Sequence, residues 1–130
     1  MSTTQEREAE LYKMLEDLEE AQYQCNRDER QIEQMEEDVL WQNRNSTELI
    51  NDLFESYPKD KKLQRVLMEK EELLQRKISL EKVMFQELRE NIHKARKDAE
   101  QQMDDYRGEL RRLREDTSDE DNNYDYSAPT

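Results

Sequence analysis

At 130 residues, 32% of them apolar and 42% charged, the chain is one domain at most and lacks the material for a layered core. A net charge of −13 argues against nucleic acid and anionic membrane as partners, because both reward Lys and Arg. The lone Cys25 excludes an internal disulfide and suits a reducing cytoplasm.

The N-terminus, Met1-Ser2-Thr3-Thr4-Gln5-Glu6, has no basic stretch leading into an apolar core, so no signal peptide is expected. Thr3 and Glu6 have the spacing of a capping box, which satisfies free N–H groups at a helix start. From there apolar residues step by three and four through Leu11, Met14, Leu18, Ala21, Cys25, Ile32, Met35, Val39, Leu49 and Leu53. A stripe that keeps its phase this long predicts one helix over 5–56.

Pro58 breaks that helix, because proline lacks the N–H and clashes with the preceding turn. A turn is predicted at 57–60, after which Asp60 can cap a second helix over 61–114. Its stripe is Leu63, Leu67, Leu74, Ile78, Phe85, Leu88, Ile92, Ala95, Ala99, Met103, Tyr106, Leu110 and Leu113. Gly108 interrupts that stripe and should weaken the last turns by about 1 kcal/mol. No apolar run approaches the roughly 20 residues of a membrane span, so no membrane insertion is expected.

Folding the chain at Pro58 brings the stripes into register, Leu53 toward Leu63, Leu49 toward Leu67, Ile32 toward Phe85 and Ala21 toward Ala95. The expected fold is therefore all-α, a long antiparallel two-helix hairpin over 1–114. Charge favours the same pairing. Residues 1–57 carry 16 acids and 5 bases, while 58–113 carry 12 acids and 15 bases. The remainder, 115–130, is acidic, almost free of aliphatic residues and expected to be a disordered tail. The seam is expected to rest on Leu18, Ile32, Met35, Leu49, Leu53, Leu67, Leu74, Phe85, Leu88 and Ile92.

Some apolar residues do not fit that seam. Leu40, Trp41 and Phe54 fall on the outer side of the first helix. Val66, Leu73 and Leu80 repeat every seven residues on a separate face of the second. A helix with two apolar faces must bury both. Either these side chains lie back over the seam, or they dock partner helices or a second copy of the chain. Trp is favoured as an interface anchor.

The chemistry-bearing residues are sparse. His93 sits between Ile92 and Lys94 with no recognisable metal-ligand partner, and Cys25 is a seam position. Glu19-Glu20 and Glu36-Glu37 have the pattern of solvated helix faces. One glycine cannot build a phosphate loop. No enzyme and no cofactor are expected.

Two stretches carry a resemblance. Residues 31–44 run from a charged helix into Leu40-Trp41-Gln42-Asn43-Arg44, and Tyr106-Arg107-Gly108-Glu109-Leu110-Arg111-Arg112-Leu113 closes the second helix. The chain resembles, over about 10–114, the small helical accessory proteins encoded beside LXG-domain toxins of bacterial type VII secretion. The resemblance implies a chaperone-like targeting factor that binds the helical N-terminal LXG domain of a cognate toxin. It also implies a second, small WXG-like partner, action in the cytoplasm, and export alongside the toxin as an open question. A WXG protein would place Trp-x-Gly in the turn, whereas here Trp41-Gln42-Asn43 lies within the helix. The aromatic-x-x-x-acid export signal is also missing, since Tyr106 leads to Leu110 and Phe85 to Arg89. Two alternatives remain: a self-associating structural coiled coil that closes a four-helix homodimer, and a prefoldin-like chaperone subunit. The second would need strand sequence at the turn, and Glu55-Ser56-Tyr57-Pro58-Lys59-Asp60 is too short to supply it.

Overall fold

The structure, a computed structural model, describes the backbone of residues 3–127 and the side chains of 3–116. Two helices account for it: α1, Thr3–Ser56, and α2, Lys61–Ser127, packed as an antiparallel hairpin with no strand among the described residues. The acidic segment 115–130 enters α2 as backbone up to Ser127. Its side chains from 117 onward and residues 128–130 lie outside the described residues.

Local chemistry sets the turn. The Tyr57 N–H still donates to the Leu53 carbonyl at 3.1 Å, and Pro58 then ends the helical pattern. Asp60 caps α2, its Oδ1 accepting from the Leu63 N–H at 3.0 Å while its carbonyl accepts from the Gln64 N–H at 2.9 Å. Gln64 closes the other side. Its Nε2 donates to the Tyr57 carbonyl at 2.8 Å, which also accepts from the Asp60 N–H, and to the Phe54 carbonyl at 3.3 Å, whose helical partner would be the N–H that Pro58 lacks.

The chain forms two compact units, Met1–Asn26 with His93–Thr130, and Arg27–Ile92. In the first, Leu11, Ala99, Met103 and Leu110 are buried, and Leu18 is half-buried. Arg7 reaches across to Glu109, with Nε donating to Oε1 at 2.8 Å and Nη2 to Oε2 at 3.0 Å. This two-pronged bond raises the Arg7 pKa and holds the Glu109 carboxyl below its ordinary value, against a smaller opposing push from burial. Arg114 hydrogen-bonds Tyr12 Oη, lies 5.9 Å from the centre of that ring, and approaches Glu8 at 3.8 Å.

In the Arg27–Ile92 unit the buried apolar residues are Ile32, Ile50, Leu67 and Phe85, with Leu53, Leu74, Leu88 and Ile92 half-buried. Ile32 and Phe85, expected to face each other, are both inside. Two seam assignments are corrected. Met35 is 50% exposed and Leu49 is 60% exposed. From Gln22 onward, α1 turns inward the lane one residue further along, with Gln22, Glu29, Glu36, Asn43 and Ile50 buried or half-buried. Ala21, Met35 and Leu49 are left on its flank. The cause is pairing across the seam, because this polar lane finds partners on α2.

A comparable shift occurs on α2. The inward positions run Phe85, Leu88, Ile92, Arg96, Ala99, Met103, so two steps of four follow one another at Ile92. Such an extra step changes the phase of the stripe. Ala95, expected in the seam, is therefore exposed, and half-buried Arg96 donates to Asn26 Oδ1 at 3.0 Å.

Candidate partner-binding surface

Inside the Arg27–Ile92 unit the seam is partly polar. Asn43, only 7% exposed, donates from Nδ2 to Glu81 Oε1 at 3.1 Å, and its Oδ1 accepts from Lys77 Nζ at 2.8 Å. Lys77 closes the triangle by donating to both Glu81 oxygens, at 3.0 and 3.1 Å. Thr47 Oγ1 donates to the Asn43 carbonyl at 2.9 Å. Burial pushes the Glu81 pKa up, but the bonds from Lys77 and Asn43, together with the Lys77 charge, outweigh it and leave the value below the ordinary one. Seven residues from Asn43 along the same lane, Glu36 pairs with Arg89. No buried side-chain polar atom lacks a partner among the described residues. Polar residues can occupy this lane only because each one is satisfied.

Apolar side chains sit outside instead. Trp41 is 64% exposed and Leu80 is 71% exposed, and Leu40, Val66 and Leu73 are exposed with them. Phe54, expected on the outer face, is half-buried, in line with its place beside the Gln64 cap. The sequence reading missed Met68, Val83 and Met84, which are exposed as well. The distribution is one-sided. Among the described residues every exposed large aliphatic side chain, and the tryptophan, belongs to Arg27–Ile92. Among the described residues of the other unit the exposed large hydrophobics are Tyr12, whose hydroxyl is bonded by Arg114, and Tyr23, whose hydroxyl water can satisfy.

Helical geometry divides this surface. On α1 the inward lanes are 32-39-53 and 36-43-50, so 35-42-49 lies on one flank, 40-47-54 on the other, and Trp41 points outward. On α2 the inward lanes are 67-74-81-88 and 64-78-85-92. Val66, Leu73 and Leu80 lie beside the 63-70-77-84 flank. Antiparallel pairing sets that flank on the same side as Met35 and Leu49. Leu40, Phe54 and Met68 occupy the opposite side.

Among the described residues no three of His, Cys, Asp and Glu are placed to hold a metal ion. His93 is exposed, and Cys25 is half-buried and free. In the unit carrying the termini, shallow depressions of about 380 and 250 Å³ are lined by Asp104 and Arg107 with Leu110, Arg111 and Arg114 in one and Gln22, Glu100 and Met103 in the other. No described helix is long and apolar enough to cross a membrane. Comparison with protein-family models, curated proteins and solved structures found no match.

Proposed function

We propose that the chain is a non-enzymatic targeting factor that binds the helical N-terminal LXG domain of a cognate toxin before type VII secretion, beside a small WXG-like partner. The observation that carries this reading is the concentration of exposed aliphatic and Trp surface in Arg27–Ile92. Apolar patches rimmed by charge mark sites where other proteins dock. A row of exposed apolar side chains along a helix fits a second helix laid beside it. Leu40, Trp41 and Phe54 form the anchor on one aspect of the unit, while Val66, Leu73 and Leu80 supply apolar contact on another.

Affinity comes from burial of these side chains, and the acidic α1 selects a partner of opposite charge. Binding takes place in the cytoplasm, where Cys25 stays reduced. Titration calorimetry with the LXG domain tests the reading. Trp41→Ala should weaken binding at least about tenfold, as loss of an interface Trp does, with helix content unchanged. Unaltered affinity in that variant, with helicity intact, would overturn the assignment.

A further inference from the structure

We infer that the side of Arg27–Ile92 bearing Met35, Leu49, Val66, Leu73, Leu80 and Met84 is closed by a second copy of the chain, giving a four-helix bundle. This departs from the reading above at Val66, Leu73 and Leu80, which it assigns to self-association, and it leaves the Leu40–Trp41–Phe54 aspect for the partner.

The first argument is the number of apolar lanes. A helix in a two-stranded pair needs two inward lanes, whereas a bundle helix needs a third beside them. On α1 the third lane, with Met35 and Leu49, is more apolar than the inward lane carrying Glu29, Glu36 and Asn43, yet it stands open to solvent. On α2 the seven-residue repeat Val66, Leu73, Leu80 lies on the same side, with Met84 exposed beside it. A two-helix seam gives no reason for this stripe. A bundle does.

The second argument is charge, and it selects the occupant. Beyond its apolar flank α1 presents Asp38 and Asp52 with no base among them, and beyond its own stripe α2 presents Lys62 and Arg76 with Glu69 between them, all exposed, Arg76 also pairing with Glu72 on its own helix. A two-fold axis parallel to the helices lays α1 of one copy against α2 of the other. The acidic rim then meets the basic rim twice, as an isologous contact requires. A two-fold axis across the helices would set acid against acid. Self-repulsion is also least here, because Arg27–Ile92 holds 16 acids and 12 bases, a small part of the net −13 of the chain.

The test is size-exclusion chromatography with light scattering on the full chain over a concentration series. The expected mass is twice the 15.9 kDa of one chain. Leu73→Asp with Leu80→Asp should give the single-chain mass at unchanged helicity, and Trp41→Ala should keep the dimer. Asp38→Lys with Asp52→Lys should raise the dimer dissociation constant at least about tenfold, and adding Lys62→Glu and Arg76→Glu should restore it. A single-chain mass for the native protein at every concentration would overturn the inference, as would a dimer that survives the leucine substitutions. Neither result bears on partner binding through Trp41, which the calorimetry reads separately.

Discussion

Asn43 and Lys77 are joined across the seam of the Arg27–Ile92 unit by a 2.8 Å hydrogen bond, and Glu81 is bonded to both. A polar residue at an inward position fixes which residues can face it, at a cost in stability. Asn43→Ala should lower stability by about 1–3 kcal/mol, the range for breaking a buried hydrogen-bonded group. Asn43→Leu should restore the native value or exceed it, since Lys77 and Glu81 keep their mutual bonds and an apolar side chain fills the space. Urea denaturation reads both, and equal losses in the two variants would contradict this role.

The lane correction makes its own forecast. Ile32→Ala should cost about 2–5 kcal/mol as a buried large-to-small change. Met35→Ala should fall within about 0.5 kcal/mol, as exposed substitutions do. The seam expected from apolar residues alone would rank the two together. Urea midpoints of the single variants, under conditions where the chain is not self-associated, separate the two arrangements.

Most of the hairpin is legible in the sequence because its break is unambiguous. Pro58 ends α1, Asp60 starts α2, and both stripes of apolar residues are long enough to fix the helices around them. What is not legible is the rotation of α1 by one lane. Reading apolar residues as inward selects Met35 and Leu49. The structure instead turns in Glu36 and Asn43, whose fitness depends on Arg89, Lys77 and Glu81 from the other helix. That is tertiary information, which a register drawn from apolar residues does not contain. Ala95 falls outside the seam because the stripe takes a second step of four at Ile92, which an unbroken repeat does not contain. At the candidate surface Leu40, Trp41, Val66, Leu73 and Leu80 were visible as misfits to the seam. Met68, Val83 and Met84 follow no simple repeat and were not.

Gly108 is an inherited weakness in α2. It has helical backbone, and a Cβ built on it meets nothing within 4 Å. Gly108→Ala should therefore stabilise the helix by about 1 kcal/mol, through both higher helix propensity and a less flexible unfolded chain. A rise of about 4 °C in Tm is expected for a domain of this size. A fall in Tm would mean that the position is constrained by a neighbour.

The bond between Arg7 and Glu109 carries a pH signature. Because the Glu109 pKa is lowered in the folded chain, its contribution is present above the ordinary carboxylate value of 4.5 and is lost as pH falls through the folded value. Protonating the many other acids relieves repulsion and acts in the opposite direction, so the informative quantity is a difference. Native protein should exceed Glu109→Gln in Tm at pH 7, and the gap should close on acidification below 4.5. A gap that does not change with pH would contradict the ionic character of this contact.

Trp41 is the single tryptophan of the chain, and its fluorescence reports directly on the surface proposed to bind the toxin. The most direct measurement is a titration of the full chain with a tryptophan-free form of the cognate LXG domain, following Trp41 emission and its quenching by acrylamide. The free chain should emit as a solvent-exposed indole that is readily quenched. Saturation should shift the emission to the blue and protect it from quencher, at a fixed stoichiometry. A complex that forms without changing Trp41 would contradict the placement of the surface, and no complex at all would contradict the function.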